Sequence, residues 1–303
     1  MTIQFNCPDC DALIAFKSSH CGKRAKCTAC GQTFIIPSKD YQKPEKVPDE
    51  SDITEPIPSF YKALFGDSWK IFINPANAVG LIFVIAIVCL KFFTGHIDYS
   101  LTMGAFRVQL PIGLIISITV WGCLFWCYIE IICTTAFGQD ELPEIDMGDI
   151  FGFVWNIIKS VYTFAVTLLI VQIPTIISIM IFAKPDIEPS LICHLLSIAG
   201  LCLFPIAILV AAVGCETIKV FRPDYLFTPV IKAPLPYITI TALFLLTWQL
   251  EMITPGYGEI SNAAPIAVTL HLLANIAVQF LVIIAMRGIG LFHRHYCCYF
   301  IHY

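Results

Sequence analysis

Charge is what this chain has least of. Of its 303 residues only 13% are Asp, Glu, Lys or Arg, against about 25% in an ordinary globular domain. Hydrophobic residues make up 57%, and the mean hydropathy is +0.78. A soluble chain could not hide that much apolar surface, so the excess must face lipid. This excludes a conventional soluble enzyme. Catalytic signatures are also missing. The apolar segments contain no H-E-x-x-H, G-x-S-x-G or paired-aspartate pattern. No catalytic residue is assigned, and an intramembrane enzyme ranks last among the function classes. The opening MTIQFNCPDC has neither the basic start nor the apolar run of a secretory signal.

Cysteine, by contrast, is plentiful. The 14 cysteines do not form the framework of a small secreted domain, where disulfides concentrate. Cys89, Cys123, Cys127, Cys133, Cys193 and Cys202 are scattered through apolar runs and read as small hydrophobes in helices. Four others are ordered differently. Cys7-Pro-Asp-Cys10 and Cys27-Thr-Ala-Cys30 are two C-x2-C pairs separated by 16 residues, a spacing that reads as a zinc site. A two-residue gap lets a tight turn aim two thiolates at one ion, and two such turns complete a tetrahedron. The four thiolates Cys7, Cys10, Cys27 and Cys30 leave one bound Zn2+ with net charge −2, which Lys23, Arg24 and Lys26 can offset. A redox role is less apt, because redox work does not need two pairs at this spacing. Four protein ligands make the ion structural, with no open position for catalysis. Phe5, Phe16 and Phe34 are the expected core. A unit this small cannot fold on its core alone, so metal binding should drive its folding.

Residues 4–37, QFNCPDCDALIAFKSSHCGKRAKCTACGQTFIIP, resemble the small bacterial zinc-ribbon domains with a CPxCG…GKxxxCxxCGxxF…P pattern. The resemblance implies a two-lobed β ribbon at the N-terminus of a longer chain. Gly31 is retained, whereas Asp11 stands where the family has Gly. Asp tolerates the left-handed backbone better than most residues, so the knuckle should survive. His20 and Cys21 lie between the pairs and read as loop residues rather than ligands.

Residues 38–58, SKDYQKPEKVPDESDITEPIP, are rich in Pro, Lys, Asp and Glu. They cannot bury a core and are expected to be a disordered linker. From 59 to 75 the apolar period is near 3.6: Phe60, Tyr61, Leu64, Phe65, Trp69, Ile71 and Phe72 share half of a helical wheel, opposite Lys62, Gly66, Asp67 and Lys70. This predicts an amphipathic helix lying in the membrane interface. Asn74-Pro75 should end it.

Six long apolar segments follow, at about 76–94, 109–137, 151–183, 190–213, 235–254 and 264–291. They predict an all-α domain over 76–303 with six transmembrane helices. The fold class is therefore a small β zinc ribbon joined to an all-α polytopic membrane domain. Pro174 and Pro205 should kink the third and fourth spans, which membranes tolerate. An even number of spans puts both termini on one side. With that side inside, 15 of the 18 Lys and Arg are inner, leaving Lys91, Arg107 and Lys184 outside. The positive-inside rule then makes both termini cytoplasmic, in the inner membrane of a bacterial cell. A cytoplasmic site also keeps the thiolates reduced.

Polar residues in spans are costly. Glu130, Glu251 and Arg287 lie near span ends, while Gln172, His194, His271, Asn275 and Gln279 lie deeper. His271, Asn275 and Gln279 recur at i, i+4, i+8 and share a face. That face is either the wall of a polar path or interhelical hydrogen-bond glue. The second is favoured, because no acidic residue sits mid-membrane to couple an ion. The loop FGQDELPEIDMGD is acidic but lacks calcium-loop spacing. The C-terminal group His293, His295, Cys297, Cys298 and His302 reads first as an interfacial aromatic anchor. Lipidation of Cys297 or Cys298 and a second metal site are the alternatives.

The segments ELPEIDMGDIFGFVWNIIKS and VFRPDYLFTPVIKAPLPYI resemble a family of bacterial multi-spanning proteins known only as a domain of unknown function. Yip-type membrane proteins are a more distant likeness. Together the two resemblances cover roughly 60–290 and imply no catalytic residues. The expected function is a membrane-anchored adaptor whose ribbon recruits a protein partner. The alternative is a transporter or channel subunit with a regulatory ribbon, which inverted repeats would favour but none is evident. Nucleic acid is not the expected partner. Residues 1–46 carry seven Lys and Arg against four Asp and Glu, and few aromatics are left for stacking once the core has formed.

Overall fold

A computed structural model describes residues 2–7, 10, 12–17, 24–27, 30, 33–36, 56–94, 99–103, 106–110, 112–139, 141–143, 150–182, 191–214, 220 and 222–300. Residues 38–55 of the expected linker (38–58), most of the acidic loop (140 and 144–149), Asp11, His20, Cys21, Lys23, Gly31, Lys184 and His302 lie outside the described residues. The last residues of that linker are not free: the Ile57 amide donates to the His295 carbonyl at 2.9 Å.

Two separate groups of buried side chains organise the chain. The smaller belongs to four short strands. β1 (Thr2–Asn6) pairs antiparallel with β2 (Leu13–Lys17), and β3 (Arg24–Lys26) with β4 (Thr33–Ile35). Phe5, Cys7, Cys27, Phe34 and Ile36 form their core, with Phe16 packed against it. The Phe5 and Phe34 rings meet edge to face at 5.3 Å, and Phe16 stands 6.2 and 6.4 Å from them. The three phenylalanines expected to fill this core do so.

The larger group is helical. Among the described residues, six helices are long and apolar enough to cross a membrane: Pro75–Thr94, Gly113–Ala136, Phe151–Ile181, Leu191–Val213, Pro234–Ile253 and Pro265–Tyr299. The protein is thus a multi-pass membrane protein with a small β unit. In element terms these are α3 (Ala78–Thr94), α4 (Ile112–Ala136), α5 (Ile150–Phe182), α6 (Leu191–Val213), α8 (Pro234–Ile253) and α10 (Pro265–Tyr296). Shorter pieces are α1 (Phe60–Lys62), α2 (Lys70–Ile73), α7 (Pro223–Lys232) and α9 (Tyr257–Ile260). α10 is the hub, packing on α4, α8, α3 and α6, while α5 lies against α6 and α4. Small residues permit the closest approaches. A Cβ on Gly290 would lie 2.7 Å from the Ile132 carbonyl oxygen, and one on Gly200 2.7 Å from that of Val171. The outer faces stay apolar and open, as at Phe151, Trp155, Met180 and Ile266. That is what lipid-facing surface requires.

The bundle has two distinguishable rims. At one, the start of α3 meets Leu142, the Cys133 thiol donates to the Ala212 carbonyl at 3.4 Å, and the Lys232 ammonium lies 5.4 Å from the Tyr299 ring. α10 ends here. At the other rim Lys91 pairs with Glu251, and the Phe92 ring meets that of Tyr257.

Two features depart from uniform helix. The 59–75 stretch is α1, then a π-helical turn over Ala63–Asp67, then α2, then a 3-10 turn at Pro75–Asn77. Asn74 turns extended there, and its side chain accepts from the Ala76 amide at 3.1 Å. Phe60, Leu64 and Ile71 of the expected apolar face are buried, whereas Tyr61, Phe65 and Trp69 remain exposed. Second, β5 (Tyr99–Met103) and β6 (Phe106–Leu110) make a hairpin before α4, where the second span was expected to begin at about 109. Its register sets Leu101 opposite Val108 and Ser100 opposite Gln109, a period-2 pattern that marks strand.

Candidate metal centre

Both C-x2-C pairs occupy the turns of hairpins. In the first hairpin Asn6 pairs with Leu13, so Cys7 and Cys10 lie in the connection. In the second Lys26 pairs with Thr33, enclosing Cys27 and Cys30. The offsets are the same. In each case the residue before the first cysteine opposes the residue three after the second. The Cys7 amide donates to the Ala12 carbonyl at 2.9 Å, closing the first turn.

The four sulfurs converge from the two hairpins. All lie within 4.8 Å of one another. Cys7 Sγ is 3.7 Å from Cys30 Sγ, and Cys10 Sγ is 3.7 Å from Cys27 Sγ. Both of these contacts cross between hairpins. A tetrahedron with metal–sulfur bonds of about 2.3 Å has edges of about 3.8 Å, so the cluster has the size of a four-thiolate metal site. Cys7 and Cys27 are buried and Cys10 and Cys30 exposed. The Cys10 thiol lies above its ordinary pKa. The Ala12 backbone and Cys30 pull it down, but desolvation and the crowded Cys7 and Cys27 thiols push it up further. Packing four sulfurs together therefore favours protonation until a cation takes the protons' place.

The remaining expected site residues divide. Asn275 Nδ2 donates to the Pro255 carbonyl at 3.2 Å and to the His271 carbonyl of its own helix at 2.9 Å. Gln279 Nε2 donates to the Tyr128 hydroxyl of α4 at 2.5 Å. Gln172 Nε2 reaches the Ser197 carbonyl of α6 at 3.2 Å. These side chains join segments. His194 faces outward. At the C-terminus, the buried His293 ring packs on Phe300 at 5.0 Å and on Phe137 at 6.3 Å. His295 Nδ1 meets the Ile57 carbonyl at 2.9 Å. Among the described residues, only the four N-terminal cysteines bring three or more ligand-type side chains together.

Two structural contributors escaped the sequence reading. Ile36 closes the small core at 2% exposure, and its place just past the last strand was its only signal. Ser68 is 1% exposed; four residues from both Leu64 and Phe72, it lies within the apolar half of the helical wheel, and only its polar side chain hid that place. Against known proteins, no family model, no curated protein and no solved structure matches this chain.

Proposed function

We propose that the chain is a membrane-anchored adaptor in which a cytoplasmic zinc ribbon, residues 1–37, recruits a protein partner to a six-span membrane domain. The observation that carries this reading is the closed set of four sulfurs. With every coordination position taken by protein, the ion holds a shape and leaves no site for chemistry. Soft thiolates at tetrahedral spacing favour zinc over hard cations. The remaining task for such a unit is contact. Leu13 is 66% exposed on β2, an apolar group offered to a partner by a unit with few residues to spare. Residues 38–55 are proposed as the tether that lets this surface search near the membrane.

Orientation belongs to the same proposal. The rim where α10 ends carries Lys62, Lys70, Arg222, Lys232, Arg287 and Arg294, whereas Lys91 lies at the opposite rim. The positive-inside rule makes the first rim cytoplasmic and sets the protein in the cell membrane. The nearest competitor is a transporter. Its expected polar path would use the His271–Asn275–Gln279 face, but Asn275 and Gln279 spend their amides on joining segments.

The test is affinity capture with detergent-extracted protein. Full-length chain should capture a partner that a chain lacking residues 1–37 does not. Reversing the charge of Lys23 and Arg24 should abolish capture while zinc content and membrane insertion persist. If alanine at His271 and Asn275 removes a measured solute flux without lowering folded protein, the adaptor reading fails.

A further inference from the structure

Two sulfurs of the metal centre are open to solvent. Cys10 and Cys30 are exposed, whereas Cys7 and Cys27 are buried, at 0% and 3% exposure. The pattern repeats in both hairpins. The first cysteine of each C-x2-C belongs to the small core, and the second lies outside it. Protein therefore shields the cluster on one side only. Other cysteines are placed differently. Cys123, Cys127 and Cys193 are buried in the helical bundle, on α4 and α6.

Oxidation of cysteine follows thiolate character and access. A sulfur that ligates zinc is deprotonated at neutral pH, and four thiolates around Zn2+ share an excess charge of −2. Cys10 and Cys30 thus combine thiolate character with access, whereas a thiol inside the bundle lacks access. Partners for a disulfide are already in place. All four sulfurs lie within 4.8 Å of one another. Cys10 Sγ is 3.7 Å from Cys27 Sγ, and Cys30 Sγ is 3.7 Å from Cys7 Sγ.

The ribbon depends on this cluster. Its hairpins β1–β2 and β3–β4 are separate two-stranded sheets, and a lone two-stranded hairpin is marginal in water. Of the five core residues Phe5, Cys7, Cys27, Phe34 and Ile36, two are ligands. Oxidation at the cluster therefore acts on what joins the hairpins.

We infer that the metal centre is a peroxide-sensitive release site, entered through Cys10 or Cys30. In the first step the exposed thiolate attacks one oxygen of hydrogen peroxide. The O–O bond breaks, hydroxide leaves and the sulfur becomes a sulfenic acid. In the second step a neighbouring thiolate of the cluster attacks that sulfur, forms the S–S bond and displaces a second hydroxide. Two thiolates lose two electrons in all, and one peroxide gains them. The oxidation state of the ion does not change. Two thiolates remain to hold it, half of what a structural site supplies, and it is released. The inference rests on the zinc reading proposed above and not on recruitment of a partner.

The test uses the full chain in a mild detergent, reduced and then freed of reductant. Elemental analysis comes first. One zinc per chain upholds the zinc reading whatever follows, and none overturns that reading and this inference together. Hydrogen peroxide is then added while a chromogenic chelator reports free zinc, and disulfides are mapped by mass spectrometry after alkylation. Loss of the one zinc per chain is expected, with Cys10 or Cys30 in the first disulfide. Dithiothreitol with added zinc should restore the starting content. Cys298→Ser, which removes a half-buried thiol outside the metal centre, should release zinc as the parent does. Zinc retained under peroxide that fully oxidises added glutathione would overturn the inference and leave the metal centre standing. Equal release without peroxide, release with all four cysteines still open to alkylation, or a first disulfide joining Cys7 to Cys27 would also overturn it.

Discussion

Lys91 of α3 and Glu251 of α8 form an ion pair across 160 residues of sequence. The same ammonium lies 4.3 Å from the Trp121 ring centre of α4. One cation therefore joins three spans at the rim opposite the N-terminal segment. Both side chains are largely removed from water, at 21% and 12% exposure, so losing one partner strands the other charge. Lys91→Met or Glu251→Gln should each lower the melting temperature. A double-mutant cycle should return a coupling of about 0.5–3 kcal/mol. Strict additivity in that cycle would show the contact to be energetically idle.

The metal centre predicts a stoichiometry. Purified full-length protein should carry one zinc per chain by elemental analysis. Cys27→Ser should abolish retention, because three thiolates leave one tetrahedral position to water. Lowering the pH should release the ion, since every thiolate must be deprotonated to bind. Chelation should leave the six-span domain folded. A protein without zinc at neutral pH would refute the assignment.

A reporter fused after Tyr303 should be cytoplasmic, and one inserted near Glu259 should be external. These positions flank the last span, Pro265–Tyr299. Finding both on one side would contradict the six-span topology.

Glycine contacts make a graded prediction. Gly290→Ala would drive a methyl to 2.7 Å from the Ile132 carbonyl oxygen and to 2.7 Å from Thr135 Cβ. Backbone cannot yield as a flexible side chain can, so α10 and α4 must separate, at a cost of about 1–3 kcal/mol. At Gly66 a Cβ would meet only the far Lys62 Cγ at 3.9 Å. Gly66→Ala should stay within about 0.5 kcal/mol of the parent. Unfolding in mixed micelles would rank the two, and equal losses would contradict the close approach of α10 and α4.

Much of this molecule could be read in one dimension. Cys7, Cys10, Cys27 and Cys30 announce a site because a knuckle is local: two residues between ligands fix the turn, whatever surrounds it. The six spans announce themselves because about 20 apolar residues are what a bilayer requires. The hairpin of Tyr99–Leu110 was legible in principle, through alternation of apolar and polar residues. It was masked by the apolar run of the following span.

What the tertiary structure alone decided is which distant groups meet. Sequence spacing pairs Cys7 with Cys10; the fold adds 3.7 Å contacts of Cys7 with Cys30 and of Cys10 with Cys27, because the two hairpins face each other. Asn275 and Gln279 shared a helical face in sequence. Only the packing of α10 on its neighbours gave them the Pro255 carbonyl and the Tyr128 hydroxyl as partners. Ser68 stands within the apolar half of the helical wheel, between Leu64 and Phe72, but the sequence does not say what covers it. It is buried beside Arg287, 219 residues away, because α10 covers the face that Ser68 shares with Phe60 and Leu64. Local periodicity specifies elements and their faces. The partner of each face is set by closure of the whole chain, where burial and hydrogen bonding are satisfied together.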